Sequence, residues 1–352
     1  MGSVKDIEVI DKSTVNAMGV ARFHFSDRYS VFDWGEMPDN ITRKGAALCL
    51  MGAYCFEKLE EAGIKTHYRG LVDKKGNLVT SKELRQPSST MEVNLVNVYK
   101  PASRMIQGKV KYDYNMYIPS LRNCLIPLEI IYRNGLPEGS SVFKRLEQGK
   151  ITLENLGLEH IPKSGERLAK PIFDVSTKLE ETDRYVTWEE AEKIAGITTI
   201  ELIAVKTVLA KVDHIITEIA RRAKLENEDG KIELAFDSQR KLMVVDVVGT
   251  LDECRFTYNG VHVSKEIARQ FYKKTGWYRD VVEAKRTAEK RGVRDWKPLC
   301  KSQPPKLDAR LKAIISGIYM AAANELTHRR LFYVPSLVET IKQYREYIGE
   351  KK

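Results

Sequence analysis

The sequence predicts an α+β fold, with strands around one helix early in the chain and mostly helices at its end. The chain has 352 residues, of which 43% are hydrophobic and 30% are charged. This length and composition suit a globular protein with more than one domain. Runs rich in alternating or β-branched residues, typical of strands, dominate the first 132 residues. After residue 264 the pattern is mostly helical, and no internal repeat is visible.

The N-terminal part predicts four strands and one helix. In residues 45–62, apolar residues recur at helical spacing, and Gly63 ends the pattern. The predicted strands occupy residues 4–10, 20–25, 64–71 and 91–99. Lys100 and Pro101 mark a hinge, and we expect a first, β-rich domain over residues 1–110.

The middle of the chain combines strands with the strongest predicted helix. Residues 199–225 carry one apolar stripe, as expected of a helix packed on a core. The predicted strands occupy residues 123–132, 231–236 and 241–248. Residues 135–170 are rich in glycine and proline and predict a long loop, whereas residues 227–230 predict a turn. We therefore expect a central α/β domain over residues 111–262.

The last part of the chain, residues 263–352, predicts a helical extension. Pro304 and Pro305 interrupt its pattern, and Ser336 has the spacing of a cap for the final helix. We expect this extension to pack against the rest of the chain or against a second subunit. The second arrangement would make the protein a homo-oligomer.

The charge balance narrows the class of partner. The formal net charge is +10 and the pI is about 9.1. These values suit a generally basic protein, a protein with anionic small substrates, or a nucleic-acid-binding protein. Basic and acidic residues are interleaved, apart from short pairs such as Lys285-Arg286. Nucleic acid is therefore the least favoured of the three.

Cysteine usage and hydropathy indicate a cytoplasmic protein. The five cysteines include no CxxC pair, so neither a disulfide framework nor a zinc site is expected. The first residues lack the apolar segment of a signal peptide. The longest apolar run, at residues 313–323, is too short to cross a membrane.

One segment combines a strand with groups that bind anions. Residues 125–133 read LIPLEIIYR, and a loop with Gly139 and Ser140 follows. This arrangement places the Arg133 guanidinium and backbone N–H groups at a strand end, where a phosphate or carboxylate can bind. The sequence holds no Walker A, GxGxxG or HExxH motif, so a nucleotide site here is of another kind.

Five segments in this order resemble the SAICAR synthetase (phosphoribosylaminoimidazole-succinocarboxamide synthase) family of purine biosynthesis. They are GSVKDI at 2–7, SDRYSVFD at 26–33 followed by Lys44-Gly45, LIPLEIIYR at 125–133, STKLE at 176–180 followed by Asp183, and the hairpin at 231–255. The resemblance implies a SAICAR synthetase-like fold. In that fold the N-terminal β-rich domain covers ATP, and the central α/β body is catalytic.

The resemblance also implies roles for individual residues. The residues that would serve ATP are Lys5, Lys44, Ile126 and Lys178. The residues that would hold the ribonucleotide substrate are Arg133, Ser140 and Arg255. The residues that would lie at the reacting groups are Asp33, Lys178 and Asp252. Asp246 and Glu233 would hold Mg²⁺ through oxygen ligands.

The sequence departs from the family pattern at three positions. Ser3 stands where a lysine is usual, and Ala235 stands where a glutamate is usual. Residues two apart on a strand share a face, so Glu233 could substitute from about 7 Å away; the alternative is that this ligand is lost. The loop before Ser140 is one residue longer than usual, so Ser141 is an alternative to Ser140.

Structural readings of the charged residues also remain open. Arg133 could pair with Glu129 as a salt bridge, and Asp27 could pair with Arg28 within a turn. Lys178 could belong to a solvated loop of mixed charge.

The resemblance implies a two-step ligation that consumes ATP. The carboxylate of carboxyaminoimidazole ribonucleotide (CAIR) would attack the γ-phosphate, and the acyl phosphate would then accept the amine of L-aspartate. The products would be SAICAR, ADP and phosphate. The alternative is a non-catalytic nucleotide-binding or regulatory protein on the same scaffold, which Ser3 and Ala235 favour. Neither reading involves nucleic acid or a membrane.

Overall fold

The computed structural model describes residues 4–106, 109–293 and 295–349. Within them the chain forms two large antiparallel sheets, a two-stranded ribbon and a set of helices concentrated after residue 264. The predicted α+β class is confirmed. Ser3, one of the departures from the family pattern, lies outside the described residues.

The N-terminal sheet has five strands in the order β1-β2-β5-β3-β4. Their bounds are β1 (Lys5–Asp11), β2 (Gly19–Phe25), β3 (Tyr68–Val72), β4 (Leu78–Val79) and β5 (Thr90–Leu95). The inner residues of β2 alternate between buried and half-buried, which shows that one face of this sheet covers the core.

A two-stranded ribbon connects the two large sheets. It consists of β6 (Ala102–Ile106) and β7 (Lys109–Asp113), which pair only with each other. The predicted domain boundary at residue 110 falls within β7, and the division of the chain into three domains stays a prediction.

The second sheet has six strands and forms the centre of the molecule. Its order is β13-β12-β10-β8-β9, with β11 also paired to β10. The bounds are β8 (Cys124–Gly135), β9 (Arg167–Thr177), β10 (Glu226–Phe236), β11 (Leu242–Val245), β12 (Cys254–Tyr258) and β13 (Val261–Val263). All twelve residues of β8 are buried, as expected of a central strand covered on both faces.

The helices pack on these sheets. Their bounds are α1 (Lys44–Glu61), α2 (Ser141–Glu147), α3 (Leu153–Leu156), α4 (Trp188–Ala195), α5 (Thr199–Arg222), α6 (Glu266–Lys273), α7 (Gly276–Arg291), α8 (Ala309–Thr327) and α9 (Leu337–Ile348), with a 3₁₀ turn at Lys297–Leu299. The α5 helix covers one face of the six-stranded sheet, and Asn134 Nδ2 of β8 donates to Asp213 Oδ1 of α5 at 2.7 Å. The α8 helix packs along α1.

One prediction about the middle of the chain was wrong. Residues 227–230, predicted as a turn, lie inside β10. Their polar side chains are satisfied within the protein, because Asn227 contacts Tyr132 and Asp229 pairs with arginines. Residues 135–170 are rich in loops, as predicted, and also contain α2, α3 and the start of β9. The helix predicted at 199–225 is confirmed as α5.

Candidate active site

One face of the six-stranded sheet collects most of the residues that the sequence singled out. Side chains alternate along a strand, so Leu125, Glu129 and Arg133 of β8 point to the same side. On β10, Glu233 lies opposite Glu129, and Asp229 lies opposite Arg133. We call this side, together with its neighbours on β9 and β11, the site face. Along the site face the side chains change from apolar, through alternating charges, to arginine.

The apolar end of the site face is a small cluster separate from the main core. Its buried members are Leu125, Ala235, Met243 and Val245, and Met18, Val96 and Leu179 pack against them. Ala235 is fully buried, so the position of the usual glutamate is apolar in this chain. The side chain of Ile126 lies in the main core on the other side of β8. A contribution of Ile126 to the site is therefore restricted to its backbone.

Lysines and glutamates alternate in the middle of the site face. Lys178 Nζ lies 2.5 Å from Glu233 Oε1 and 3.7 Å from Glu129 Oε1. Lys231 Nζ lies 2.7 Å from the same Glu129 oxygen and 3.5 Å from Glu253 Oε2. Burial alone would lower the pKa of Lys178, but Glu233, Asp246 and Glu129 outweigh it and raise that pKa. Lys178 is thus held as a cation and does not belong to a solvated loop.

The N-terminal sheet contributes Lys5 to this charged middle. Lys5 Nζ forms an ion pair with Asp246, which follows β11, and also lies over the ring of Phe23 at 4.6 Å. Asp246 has a positive φ of 65°, a conformation that is uncommon for a non-glycine residue and is often found at functional sites. The carbonyl oxygen of Asp246 lies 3.2 Å from His67 Nε2. The structure therefore brings together Lys5, Asp246, Glu233 and Lys178, as predicted.

The carboxylates of buried Glu233 and half-buried Asp246 lie close enough for the charge of Asp246 to act on Glu233. Burial and the charge of Asp246 raise the pKa of Glu233, although Lys178 opposes the shift. Burial would also raise the pKa of Asp246, but Lys5 and Lys178 outweigh it and hold that pKa low. The opposite pKa shifts show that the two negative charges repel each other, and a divalent cation between them would offset that repulsion.

The donor set of this pair fits Mg²⁺ bound together with a nucleotide. In the part of the chain that the structure describes, no group of three or more His, Cys, Asp or Glu side chains is arranged to hold a metal ion. Mg²⁺ is usually bound through one or two carboxylates plus substrate phosphates. Two carboxylates beside two lysines meet that requirement.

A second carboxylate group lies where β12 begins. Asp252 Oδ2 accepts from Lys44 Nζ at 2.6 Å, and Asp252 Oδ1 accepts from the Tyr319 hydroxyl at 2.6 Å. Lys44 is fully buried, so it serves Asp252 and is not among the lysines of the site face. Lys265, at the start of α6, lies close enough to Asp252 for its charge to help lower the pKa of that carboxyl against the effect of burial, after Lys44.

The arginine end of the site face is a network of guanidinium groups and carboxylates. Arg133 Nη2 lies 3.1 Å from Asp174, and Arg133 Nη1 lies 3.4 Å from Asp229. Arg255 Nε donates to Asp229 at 2.8 Å, and Arg145 pairs with Asp174. The side chain of Arg133 is only 3% exposed, whereas that of Arg255 is 18% exposed. Arg255 is therefore the more accessible of these two predicted substrate-binding arginines.

The alternative that Arg133 forms a structural salt bridge with Glu129 does not hold in the structure. Four residues along a strand separate two side chains by about 13 Å, and Glu129 pairs instead with lysines. Ser140 is buried and caps α2 by accepting from Val142 N. The hydroxyl of Ser141 lies 3.2 Å from Arg133 Nη2. Of the two alternatives, Ser141 is the one that contacts the arginine network.

Asp33 lies away from the site face, in the segment before α1. Its side chain is 83% exposed and accepts from Lys285 Nζ of α7 at 2.6 Å. The charge of Asp33 nevertheless acts on Asp183, in the segment after β9. The pKa of Asp183 is raised to about 6, mainly by partial burial and then by the charge of Glu129, and the charge of Asp33 adds to this shift. Asp33 is thus near the charged middle but does not contact it. The predicted ion pair within the turn is wrong, because Arg28 pairs with Asp6 and Asp27 accepts from the backbone of the α1 start.

Sequence reasoning missed the acids, the lysines and the tyrosine that contact the predicted residues or act on them through their charge. They are Glu129, Asp174, Asp229, Lys231, Lys265 and Tyr319. The alternation of Asp229, Lys231 and Glu233 along β10 was a usable signal, since residues two apart share a face. Tyr319 gave no such signal, because it reaches Asp252 from a helix 67 residues away in sequence.

Comparisons with known proteins agree with this architecture. Among solved structures, SAICAR synthase from Saccharomyces cerevisiae complexed with SAICAR has a TM-score of 0.62 at 20% identity and covers 95% of each chain. A SAICAR synthetase (Type-2) in complex with ADP has a TM-score of 0.55 at 21% identity and covers 87% of this chain and 99% of its own. The fold is that of the SAICAR synthetases.

Sequence comparison defines the family. The SAICAR synthetase family model matches residues 13–291. A candidate phosphoribosylaminoimidazole-succinocarboxamide synthase of Archaeoglobus fulgidus is 47% identical over 348 residues, which are 99% of this chain and 100% of that protein. This chain belongs to the SAICAR synthetase family and is an enzyme of the ligase class. None of the helices that the structure describes is long and apolar enough to cross a membrane.

Proposed function

We propose that the site face joins L-aspartate to CAIR in an ATP-dependent amide ligation that yields SAICAR, ADP and phosphate. The observation that carries this proposal is the order of side chains along one sheet face. An apolar cluster, a strip of alternating lysines and carboxylates, and an arginine network follow one another across β8 and β10. An adenine ring, a polyphosphate and a ribonucleotide phosphate need these three environments.

ATP would lie with its base at the apolar end and its phosphates at the charged middle. Leu125, Ala235, Met243 and Val245 present an apolar wall. Lys5 and Lys178 supply positive charge beside the phosphates and form ion pairs with Asp246 and Glu233 before the nucleotide binds. Cations fixed before the reaction stabilise the charge that develops during phosphoryl transfer.

Glu233 and Asp246 would hold Mg²⁺, which would neutralise phosphate charge when bound. The family usually has a glutamate at the position of Ala235. Glu233 would supply that carboxylate instead, because both β10 residues point to the site face. The two lysines around the pair would move from carboxylate to phosphate oxygens as the nucleotide binds.

The arginine end would hold the ribose phosphate of CAIR. Arg255 is partly accessible and presents a planar guanidinium, which suits a phosphate because it can donate two parallel hydrogen bonds. Arg133 is ion-paired on both sides and buried, so its contribution is to hold Asp174 and Asp229 in place. Ser141 completes this end through its contact with Arg133.

With ATP at the charged middle and CAIR at the arginine end, the reacting groups would lie next to each other. A carboxylate oxygen of CAIR attacks the γ-phosphorus, ADP leaves, and the acyl phosphate forms between the charged middle and the arginine end. The amine of L-aspartate attacks the acyl carbon, loses a proton, and phosphate leaves with the bridging oxygen. Asp252 lies beside this path, with its pKa held low by Lys44.

The cell compartment that fits this chemistry is the cytoplasm. All five cysteines are free thiols, and four of them are buried, which agrees with a reducing environment.

An omission experiment tests the proposal. ADP and SAICAR formation are measured with ATP, Mg²⁺, CAIR and L-aspartate, and again with each component left out. We expect SAICAR only in the complete mixture, and no more than slow ADP release without aspartate. Nucleotide binding without any ADP formation would contradict the proposal and support the non-catalytic alternative.

A further inference from the structure

The side chain of Tyr319 extends from the helical extension into the candidate active site. Tyr319 lies on α8, is 1% exposed, and donates its hydroxyl to Asp252 Oδ1 at 2.6 Å. The other carboxylate oxygen of Asp252 accepts from Lys44 Nζ at 2.6 Å. The same ammonium lies 5.5 Å from the centre of the Tyr319 ring. Two buried groups from distant parts of the chain, Lys44 and Tyr319, therefore meet at one carboxylate.

A second contact fixes α8 to the segment that carries Lys44. Ser316, three residues before Tyr319 and on the same side of α8, donates its hydroxyl to the carbonyl oxygen of Thr42 at 2.7 Å. Thr42 lies two residues before Lys44. The α8 and α1 helices pack along each other. Ser316 thus tethers α8 to the segment before α1 through a contact that is separate from the one at Asp252.

The hydrogen bond from Tyr319 stabilises the ionised form of Asp252, which burial disfavours. Burial would raise the pKa of Asp252, whereas the charges of Lys44 and Lys265 and the two hydrogen bonds lower it. A carboxylate has about four lone-pair positions, so two donors leave room for a donor from a substrate. Tyr319 also restricts the rotation of the Asp252 carboxylate group, because each of its two oxygens accepts from a different fixed donor.

We propose that Tyr319 is a positioning residue for the ligation reaction, and that it holds Asp252 in the orientation and ionised state that the ribonucleotide substrate requires. This inference rests on the proposed function. Tyr319 lies beyond residues 13–291, the part that the family model matches. The helical extension of this chain would therefore complete the site rather than only stabilise the fold.

The test begins with Tyr319→Phe, which removes the hydroxyl and keeps the ring. Steady-state kinetics are measured for CAIR, ATP and L-aspartate across pH. We expect kcat/KM for CAIR to fall about 10- to 100-fold, as for loss of a hydrogen bond to a charged group, while KM for ATP stays unchanged. The acid limb of the pH profile should move to higher pH, because a carboxylate that loses a donor gains a proton more easily.

Two control variants separate positioning from folding. Ser316→Ala removes the other α8 tether without touching Asp252. Tyr272→Phe removes a buried hydroxyl that donates to the Pro305 carbonyl at 2.9 Å in the same helical extension. We expect both controls to lower the melting temperature and to leave the acid limb in place. The same limb shift in all three variants would overturn the inference, because it would show a general effect of loosened packing.

A double-mutant cycle gives the decisive readout. If Tyr319 acts through Asp252, the effect of Tyr319→Phe on kcat/KM should disappear in an Asp252→Asn background. An equal loss in both backgrounds, or no loss in the wild-type background, would refute the role of Tyr319. Neither result would affect the proposed function, which fails only if the wild-type protein forms no SAICAR.

Discussion

The ammonium group of Lys178 lies 2.5 Å from a carboxylate oxygen of Glu233 and is shared with Glu129, 3.7 Å away on the neighbouring strand. The relationship arises from register, because Glu233 and Glu129 are directly opposite each other on β10 and β8. Two like charges at opposed positions are unfavourable unless a cation separates them. Lys178 is that cation, and a nucleotide with its metal would replace it at Glu233.

Glu233→Gln should therefore abolish most of the ligase activity. The substitution keeps the shape and removes the charge that would hold Mg²⁺. We expect kcat to fall by about 100-fold or more, on the scale known for loss of one group that stabilises transition-state charge. Coupled ADP release at saturating Mg²⁺ and ATP measures it.

The matched control for this variant is Glu92→Gln. Glu92 is a buried glutamate on β5 with two arginine partners, Arg22 and Arg69, and it lies on the other sheet. The Glu92→Gln variant should have a lower free energy of unfolding than the wild type, without a large loss of kcat. Equal kcat for Glu233→Gln and the wild type would show that Glu233 does not replace the missing glutamate.

Mg²⁺ binding should release protons and strengthen as the pH rises. Burial and the charge of Asp246 raise the pKa of Glu233, and a divalent cation binds the carboxylate form of both residues, so binding favours loss of a proton from Glu233. Because the pKa of Glu233 is higher in the folded state than in the unfolded state, the folded state binds its proton more tightly. The contribution of Glu233 to the free energy of unfolding therefore falls as the pH rises above the pKa of an unperturbed glutamate. Calorimetry of Mg²⁺ with ADP in two buffers of different ionisation enthalpy counts the protons. A Mg²⁺ affinity independent of pH between about 6 and 8 would contradict the assignment.

The two arginines at the end of the site face should differ in what they contribute. Arg133→Gln leaves Asp174 and Asp229 with one arginine each, so we expect a loss of about 3 kcal/mol in unfolding free energy, measured by urea denaturation. Arg255→Gln should instead raise KM for CAIR on the order of 10- to 100-fold with a small stability change. The reverse pattern would show that Arg133 binds the phosphate directly.

The two faces of β8 should separate nucleotide binding from stability. Leu125→Ala shortens the apolar wall of the site face, and we expect KM for ATP to rise about 10-fold with little change for CAIR, since a buried side chain of this size contributes about 1.5–3 kcal/mol. Leu128→Ala, on the opposite side of the strand within the main core, should lose about 2–5 kcal/mol of stability without a specific rise in KM for ATP. Equal KM changes would mean that the adenine ring does not lie at Leu125.

Much of the fold followed from local pattern, and the remainder depended on pairing across the chain. The 3.6-residue period of α5 and the apolar composition of β8 are local properties, so both elements were predicted near their observed bounds. Residues 227–230 were misread because polar residues in a strand look like a turn until their partners are known. Asn227 and Asp229 are satisfied by Tyr132, Arg133 and Arg255 across β8 and β12.

In the candidate site, several residues could be predicted from the sequence, but their contacts could not. Lys5, Lys178, Glu233 and Asp246 could be named in advance because each lies in a recognisable segment. Their ion pairs could not, since Lys5 and Asp246 are 241 positions apart in sequence and only the register of two sheets brings them together. The side chain of Ile126 lies in the main core, so its expected place in the adenine-facing segment before Pro127 stays a prediction about its backbone. Lys44 was expected among the ATP ligands, but its burial directs it to Asp252.

Transfer of an oxygen atom tests the central claim most directly. CAIR labelled with ¹⁸O in its carboxylate is converted in the presence of ATP, Mg²⁺ and L-aspartate, and the inorganic phosphate released is analysed by mass spectrometry. In the proposed mechanism that carboxylate is phosphorylated before aspartate attacks, so we predict one ¹⁸O atom in each phosphate formed. Unlabelled phosphate would contradict the account, because it would show that ATP is hydrolysed without an acyl phosphate on the ribonucleotide.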